Sequence, residues 1–412
     1  MSEHAPPRPL EGITVVDLTI ALAGPYATQL LAALGAKVIK VENPAGGDPS
    51  RNNAPYVGTS GLHLAREDES DMSVSMLERG RNKLSVTLNL KLPEARDVFD
   101  DLVRNADVVV ENFSAGTADR MGIGYEHGAA VNPRIIYLSI SGFGAGEPGK
   151  GMDSIFQALS GLMLTPGSYG DPPVRNGVPF GDLTGPLFGV IGTLAALHLR
   201  ERTGRGQHVD VGLLGALTAL IATEPWDTME RAGISMRTGN VVPRLAPFGI
   251  FAATDGFVAL CAPTEAFARG VFEALGRPEL MEDERFSSRD RRVANAAELH
   301  ALIAGWVAGR SVADATAALE ARGVPAAVVR DTATAVRDPR AKRRGEAVQL
   351  AHPELGPVDE LYGSGFPVRF SDARAGYDAP PPRLGEHNEL ILGDLLGYPP
   401  DRIASLRAAG AI

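Results

Sequence analysis

The stretch ITVVDLTIALAGPYATQLLAALGAKVIKVE, residues 13–42, has the pattern of one strand–helix–strand unit. Residues 13–18 are a short, apolar and β-branched run, which is typical of a buried strand. A helical pattern begins at Pro25 and ends at Gly35, and residues 37–42 form a second apolar run. Because the connections are short and a helix separates the two strands, the unit predicts parallel pairing.

The same alternation continues to about residue 145. Strand patterns at 84–88, 108–111 and 135–140 flank a helical pattern at 93–105. Strands that alternate with helices indicate a parallel sheet covered by helices on both faces. The predicted fold class is α/β, with a large Rossmann-like parallel-sheet domain and a smaller α+β domain.

The length of 412 residues exceeds what one ordinary hydrophobic core supports, so two domains are expected. The predicted limits are 1–225 for the N-terminal part of the large domain and 226–330 for the small domain. Residues 331–412 would return to the large domain. The short run at 326–329 is expected to be a strand that leads back toward it.

The composition excludes several classes of protein. A net charge of −10 argues against a general nucleic-acid binder. The single cysteine, Cys261, cannot form an internal disulfide, which fits a reducing cytosol. The longest apolar run, 187–199, is too short to cross a bilayer, and the start of the chain lacks a leader pattern. The eight histidines have no metal-ligand spacing. We expect a cytoplasmic protein without nucleic-acid, membrane or metal partners.

Two stretches resemble nucleotide-binding motifs but lack essential residues. The turn at 19–25 contains one glycine, where the dinucleotide fingerprint needs three. The run at 144–150 copies the spacing of a phosphate loop, but Gly151 follows where Ser or Thr should bind magnesium. Neither NAD, FAD nor ATP is therefore predicted. The helix N-terminus after Gly24 remains a candidate anion site, and the loop at 144–150 is expected to cover the active cleft.

Asp182 is the leading candidate for a chemical role. It lies between Gly181 and Gly185, at the head of a long apolar helical pattern at 185–201. Flanking glycines let a substrate approach the backbone closely, so the carboxylate could act as a covalent nucleophile. An aspartate in this position is also a favoured helix N-cap. This segment alone leaves both interpretations open.

A series of short blocks extends this picture along the chain. In the first half they are LEGI at 10–13, VVDL at 15–18, AGP at 23–25, LGAKVIKVE at 34–42, GD at 47–48, Arg51, NK at 82–83, ADV at 106–108, ENF at 111–113, RMG at 120–122, NP at 132–133 and GFG at 142–144. In the second half they are GD at 181–182, TGRGQ at 203–207, RTGN at 237–240, APF at 246–248, DG at 255–256, GVP at 323–325 and LGEH at 384–387. In this order the blocks resemble the class III coenzyme A transferases, the family of formyl-CoA and carnitine CoA transferases.

The resemblance implies that Asp182 attacks an acyl-CoA thioester and then carries CoA as an aspartyl thioester to an acceptor carboxylate. It implies that CoA is held by Leu22, Ala23, Leu88, Lys91, Asn112, Phe113 and Arg120. Further substrate contacts are expected at Gly142, Phe143 and Arg244. CoA and acyl-CoA would be substrates, no cofactor would be tightly bound, and family members form an interlocked homodimer.

Departures from the family pattern bear on the substrate. Formyl-CoA transferases have glutamine where this chain has Leu22, and their long glycine-rich loop is absent between residues 239 and 253, which disfavours formyl or oxalate substrates. Related 2-methylacyl-CoA racemases, the alternative function, carry a Gly-His-Asp block. Here Met152 replaces the histidine, so a second acid–base group is missing.

Three further side-chain roles remain open at this stage. Asp153 is expected to cap the helix that follows it, with support of Asp182 as the second interpretation. The basic residues at 81–83 together with Lys91 indicate either a solvated edge or phosphate contacts. A second substrate carboxylate, as in a C4–C5 dicarboxylate, would pair with one of three arginines, Arg175, Arg237 or Arg244.

Overall fold

The computed structural model describes residues 6–412, which separate into two compact units. The first unit combines the chain up to Ser160 with Asn176–Leu220 and Val336–Ile412. The second combines Gly161–Arg175 with Ile221–Ala335. The domain limits near residues 225 and 330 remain predictions.

Helices and strands alternate along the first part of the chain. In order they are β1 Thr14–Asp17, α1 Ala23–Ala33, β2 Lys37–Glu42, β3 Tyr56–Gly58, β4 Gly61–His63, β5 Met72–Ser73, α2 Val74–Arg79, β6 Lys83–Thr87, α3 Pro93–Arg104, β7 Val108–Glu111, α4 Thr117–Arg120, α5 Tyr125–Val131, β8 Ile136–Ser141 and α6 Asp153–Leu159.

The remaining elements include a longer run of helices. They are α7 Phe180–Thr203, β9 His208–Gly212, α8 Leu213–Ile221, α9 Trp226–Arg231, β10 Phe248–Ala252, β11 Phe257–Cys261, α10 Glu265–Ala274, α11 Arg289–Ala294, α12 Ala296–Ala308, α13 Val312–Glu320, β12 Ala326–Val328, α14 Thr332–Val336, α15 Pro339–Arg344, β13 Ala347–His352, β14 Gly356–Ser364 and α16 Pro400–Ala408. Short 3₁₀ turns lie at Pro49–Asn52, Leu162–Leu164 and Pro278–Met281, and a π-helical turn lies at Leu390–Leu395.

The first unit is built on a six-stranded sheet with the order β6-β2-β1-β7-β8-β9. All neighbouring strands in this sheet run parallel. The chain winds outward from β1 through β2 and β6 on one side, and through β7, β8 and β9 on the other. The predicted α/β class and parallel sheet are therefore confirmed. In such sheets, ligands bind beyond the carboxyl ends of the strands where the winding reverses, here between β1 and β7.

Helices cover both faces of this sheet. The inward face of α3 carries apolar residues at helical spacing, Ala95, Val98, Phe99, Leu102 and Val103, and packs in one core cluster with Tyr137 of β8. Leu138, the next residue of β8, faces α7, because a Cβ on Gly189 of α7 would lie 3.2 Å from the Leu138 Cδ2 atom. Successive strand residues point to opposite faces, so α3 and α7 lie on opposite sides of the sheet.

Ion pairs are buried beneath α1. Lys83 donates to the Asp17 carboxylate at 3.0 Å and to the Thr28 hydroxyl at 2.7 Å. Burial lowers the pKa of Lys83 to about 8, although the neighbouring Asp17 charge opposes that shift. Arg81 is also buried and pairs with Glu78 at 2.8 Å. The prediction of a solvated edge or a phosphate site at 81–83 was therefore wrong, because these cations are already paired with protein acids.

Helix α7 is 24 residues long and apolar enough to cross a membrane by length and composition alone. Half of the most apolar 18-residue segment of this helix is buried within the protein. Its buried residues pack against the parallel sheet, as in the core helix of an α/β domain. The helix begins at Phe180, five residues before the predicted start.

The second unit has its own antiparallel sheet, with the order β10-β11-β12. Strands β10 and β11 form an antiparallel hairpin. The strand predicted at 326–329 was expected to lead toward the large domain. Instead, β12 pairs with β11 and completes the sheet of the second unit. Helices α8 and α9 are separate, and Pro225 precedes the start of α9.

Candidate active site

Most of the residues predicted to bind CoA follow directly on strands of the parallel sheet. Leu22 and Ala23 lie after β1, at the start of α1, and Asn112 with Phe113 follows β7. Gly142 and Phe143 follow β8, and Leu88 and Lys91 follow β6. Carboxyl ends of parallel strands share one edge of the sheet, so the topology brings these loops together at the winding reversal.

A cavity of about 340 Å³ lies at this edge of the sheet and is lined by Asp182 together with six of the other predicted site residues. The predicted residues that line it are Leu22, Ala23, Asn112, Phe113, Gly142, Phe143 and Asp182. The loop predicted to cover the active cleft contributes Glu147, Gly149 and Lys150.

A smaller cavity of about 160 Å³ shares Phe113 with the first. Leu88 and Lys91 line this second cavity, and the Lys91 side chain is exposed. Arg120 lies on the surface at the end of α4, where it donates a hydrogen bond to the Thr117 hydroxyl at 2.8 Å. Lys91 and Arg120 are thus two exposed cations of the first unit without a carboxylate partner among the described residues.

Asp182 lies in the first turn of α7, where Pro179 occupies the N-cap position. The N-cap interpretation of Asp182 is therefore wrong. Asp153 satisfies the start of the helix instead, because its Oδ1 atom accepts hydrogen bonds from the backbone N–H groups of Gly181 at 2.8 Å and Asp182 at 3.4 Å. The expectation that Asp153 caps its own helix was also wrong, since α6 begins at Asp153 itself.

The Asp182 carboxylate is half-buried, and neither of its oxygens accepts a hydrogen bond from any described residue. Burial raises its pKa to about 6, with a further contribution from the negative charge of Asp153. The positive charge of Arg79 opposes this shift. An unpaired carboxylate that faces a cavity and titrates near neutral pH is suited to nucleophilic or acid–base chemistry.

The glycines that flank Asp182 allow close packing within the protein. A Cβ on Gly181 would lie 3.2 Å from the Asp153 Oδ1 atom, and a Cβ on Gly185 would lie 2.4 Å from the Leu213 Cδ2 atom. From the sequence, we expected these glycines to let a substrate approach the backbone. In the structure they bring Asp153 and α8 against the first turns of α7.

The loop after β1 is held by two side chains from neighbouring strand ends. Asn112 accepts a hydrogen bond from the Ile20 N–H at 2.8 Å and donates to the Ile20 carbonyl at 2.9 Å. Asp48 accepts from the N–H of Ala21 at 3.0 Å and pairs with the buried Lys40 at 2.8 Å. Ala21 has a φ of 65°, a left-handed conformation that these contacts stabilise. Asn112 therefore shapes the loop that carries Leu22.

Arg79, at the end of α2, was missed by the sequence reasoning. Its charge interacts with that of Asp182, and burial lowers its pKa. No local pattern distinguishes it from the neighbouring Arg81, because both belong to one short basic stretch. Only the three-dimensional pairing separates them: Arg81 has a carboxylate partner, and Arg79 has none among the described residues.

Arg244 and Arg237 lie in the second unit. Arg244 is ion-paired with Glu224. The Arg237 guanidinium donates to the carbonyls of Pro166 at 2.9 Å and Pro172 at 2.8 Å, and also to that of Asp171. Arg244 would have to leave Glu224 to bind a substrate carboxylate, so its predicted role remains a prediction.

The described residues contain no group of three or more His, Cys, Asp or Glu side chains that could hold a metal ion. The groups that influence the charge of Asp182 are Asp153 and the cation Arg79.

Comparisons with known proteins agree with this arrangement. The model of CoA-transferase family III matches residues 10–388. A succinyl-CoA--D-citramalate CoA-transferase of Chloroflexus aurantiacus is 35% identical over 416 residues, which cover 100% of both chains. An acetyl-CoA:oxalate CoA-transferase of Acetobacter aceti is 36% identical over 93% of this chain and 95% of its own.

Among solved structures, a CaiB/BaiF family protein from Brucella suis superimposes with a TM-score of 0.80 at 35% identity, covering 94% of this chain and 100% of that one. The family match and the relatives both extend over nearly the whole length of the chain. The protein is thus a CoA-transferase and belongs to CoA-transferase family III.

Proposed function

We propose that this enzyme moves CoA from an acyl-CoA donor to a dicarboxylic acid through an aspartyl-CoA thioester on Asp182. The observation that carries the proposal is the unpaired, half-buried Asp182 carboxylate in a cavity formed by the loops after β1, β7 and β8. Nucleophilic catalysis by a carboxylate needs an accessible oxygen and a defined orientation. The Asp153 contacts to the start of α7 supply the orientation.

The proposed reaction has two symmetrical halves. A carboxylate oxygen of Asp182 attacks the thioester carbonyl carbon of the donor, and the CoA thiolate leaves, giving a mixed anhydride. The thiolate then attacks the aspartyl carbonyl carbon, which releases the donor acid and forms aspartyl-CoA. The acceptor carboxylate attacks that thioester and expels the thiolate. The thiolate finally attacks the acceptor acyl carbon, which gives the new acyl-CoA and regenerates the Asp182 carboxylate.

CoA would bind along the loops that follow the strands, with Leu22, Ala23, Asn112, Phe113, Gly142 and Phe143 near the thioester. Leu88, Lys91 and Arg120 would contact the remainder of CoA. The proposal is supported by the cationic side chains of Lys91 and Arg120, which suit phosphate groups, and by the two adjoining cavities that share Phe113.

A dicarboxylate acceptor is supported by the substrates for which two relatives are named, since citramalate and oxalate both carry two carboxylates. The sequence argument from Leu22 disfavoured oxalate. A relative named for oxalate is as similar to this chain as the citramalate enzyme, so oxalate belongs in the panel of acceptors.

The alternative, a 2-methylacyl-CoA racemase, is opposed by Met152. This residue lines the cavity and is 81% exposed, and its thioether cannot accept a proton at neutral pH. One acid–base group would be left to serve both faces of the α-carbon.

Mass spectrometry tests the covalent intermediate. The protein would be mixed with succinyl-CoA and treated with hydroxylamine or borohydride, which react with an acyl thioester. We expect modification of the peptide that carries Asp182 and loss of that modification in Asp182→Asn. Asp210→Asn, which alters a carboxylate outside the cavity that contains Asp182, is the matched control and should label normally.

Failure to label the Asp182 peptide, while CoA is still transferred to an acid, would overturn the aspartyl intermediate. Deuterium uptake at the α-carbon of a branched acyl-CoA, without CoA transfer, would favour the racemase.

We further propose a cytoplasmic homodimer, interlocked as in the family, that acts without nucleic-acid or membrane partners. The exposed apolar side chains on α7 support a dimer, since a contiguous apolar surface is typical of an interface. The single cysteine fits a reducing compartment, and the net charge of −10 opposes nucleic-acid binding.

A further inference from the structure

Arg79 is a cation in the first unit that lacks a protein partner. Its side chain forms no hydrogen bond and no ion pair with any described residue, and its Nε atom is inaccessible to solvent. The two terminal nitrogens also lack partners but are not closed off from solvent. The guanidinium therefore has free donors, and solvent can reach those on its terminal nitrogens.

The neighbouring carboxylates, Asp48 and Glu78, do not satisfy these donors, because neither accepts a hydrogen bond from Arg79. Asp48 is bonded to Lys40 and to the backbone N–H groups of Ser50 and Ala21. The Glu78 Oε1 atom accepts from Arg81 and from the Ser364 N–H, whereas its Oε2 atom has no hydrogen-bond partner among the described residues. Arg79 thus interacts with both acids only at longer range.

Buried arginines elsewhere in this chain form ion pairs with carboxylates. The arginines that are buried as whole residues, Arg51, Arg81, Arg200 and Arg292, each have a carboxylate within 3.0 Å. A partly buried cation without a partner destabilises the folded protein, because no ion pair offsets the free energy lost on removing the charge from water. Such a cation is a ready site for an anion that the protein itself does not supply.

An anion bound by Arg79 would lie near the nucleophile, because Arg79 is close enough to Asp182 for their charges to interact. The phosphates of CoA cannot occupy this position while the thioester reacts, since the pantetheine arm separates them from the sulfur. A carboxylate at the far end of a short acyl chain can reach it, because only a few methylene groups separate that carboxylate from the reacting carbonyl.

We propose that Arg79 binds the distal carboxylate of the dicarboxylic substrate and thereby selects dicarboxylic over monocarboxylic acids. This inference rests on the proposed function, because it assumes that the acid reacts at Asp182. Donor and acceptor acids would use Arg79 in turn, since both react at the same Asp182 carboxylate. A guanidinium can accept a carboxylate in a bidentate manner, which fixes its orientation as well as its charge.

A competition assay isolates this role. The enzyme would receive limiting succinyl-CoA and an equimolar mixture of glutarate and valerate, which have the same number of carbons. Both acids compete for the same CoA-loaded enzyme, so the ratio of glutaryl-CoA to valeryl-CoA gives the ratio of their kcat/KM values and cancels the donor half-reaction. We expect Arg79→Met to lower this ratio by a factor on the order of 10 to 100.

Two further variants complete the assay. Arg79→Lys keeps the charge but loses the bidentate geometry, so its ratio should fall between those of wild type and Arg79→Met. Arg96→Met is the matched control, because the Arg96 Nε atom is also buried without a partner but lies on α3. Its ratio should equal that of wild type. An unchanged ratio in Arg79→Met, or in Arg79→Lys if the methionine variant does not fold, would overturn the proposal.

Thermal unfolding with glutarate or valerate, in the absence of CoA, separates this inference from the proposed function. Glutarate should raise the Tm of wild type more than valerate does, and Arg79→Met should lose that difference. If this pattern appears but no CoA is transferred to either acid, the proposed function fails while the carboxylate site stands. If CoA is transferred and the difference is absent in wild type, the Arg79 proposal fails alone.

Discussion

At the scale of single residues, the charge state of Asp182 should set the lower pH limit of activity. Burial, with a contribution from Asp153, raises its pKa to about 6. A raised carboxyl pKa means that the nucleophile becomes protonated as pH falls through 6. We expect kcat/KM for acyl-CoA to fall about tenfold per pH unit below that point. A pH profile of kcat/KM that stays flat down to pH 4.5 would contradict this.

Asp153 should influence that limit through its charge. The Asp153→Asn variant keeps a carbonyl oxygen that can accept from the Gly181 N–H but loses the negative charge beside Asp182. The pKa of Asp182 should therefore fall, although burial continues to raise it. At pH 5 the variant should retain several-fold more of its own maximal kcat/KM than wild type does. The variant also loses the bond from Gln157, so each profile is normalised to its own maximum.

At the residue scale, the resemblance named residues that the structure brings to one cavity, whereas contacts between distant residues were not predicted. Asp182 and the cavity residues were identified from short blocks whose spacing is local. The hydrogen bond between the Gly181 N–H and Asp153 joins residues 28 positions apart, and no local sequence pattern predicts it. Arg79 was missed for the same reason, because the absence of a partner is a property of the folded chain.

At the scale of elements, the close approach of α1 to the site depends on Gly24. A Cβ there would lie 2.4 Å from the Thr19 Cβ atom and 2.9 Å from the Asn112 Cγ atom. Gly24→Ala should displace the loop before α1, destabilise the protein by about 1–3 kcal/mol and raise KM for acyl-CoA several-fold. Denaturant unfolding and steady-state kinetics measure both effects.

Gly215→Ala is the matched control for that substitution. Gly215 lies within helix α8, and a Cβ there would meet no atom within 4 Å. Alanine in a helix interior is more favourable than glycine by roughly 0.5–1 kcal/mol. The control should therefore be as stable as wild type or slightly more so. Equal destabilisation by both substitutions would show that Gly24 has no special steric role.

Element boundaries were predicted less well than element types. The strands and helices of the first 145 residues follow local periodicity, and the parallel sheet follows from their alternation. The start of α7 was placed at Gly185 because the apolar pattern begins there. The helix actually starts at Phe180, since Asp153 satisfies two of its first N–H groups from another element. A cap that comes from a distant residue cannot be predicted from the sequence of the helix itself.

At the scale of the whole molecule, the order of the elements predicts the topology of the parallel sheet. It does not predict which of the two units each part of the C-terminal half joins. The run at 326–328 is short and apolar, and it would suit either sheet. Its pairing with β11 is decided by tertiary contacts, which local propensity cannot anticipate. The quaternary state is likewise a property of surfaces, and these become visible only when the helices are placed.

The surface of α7 provides the test of the proposed homodimer. Leu187, Phe188 and Ile191 are 46%, 40% and 62% exposed. Ile191 lies four residues after Leu187 and three after Phe188, so it shares one face of the helix with both. A glutamate within a buried interface would leave a charge without a partner. Ile191→Glu should therefore shift the protein toward the monomer, measured by light scattering coupled to size-exclusion chromatography.

Leu64→Glu is the control, because Leu64 is 81% exposed and lies outside α7. It should leave the mass unchanged. The dimer proposal predicts a wild-type mass of twice the 43.4 kDa chain. A monomeric wild type would refute the dimer. A dimer unaffected by Ile191→Glu would place the interface away from this face of α7, whose exposed apolar residues would then need another partner.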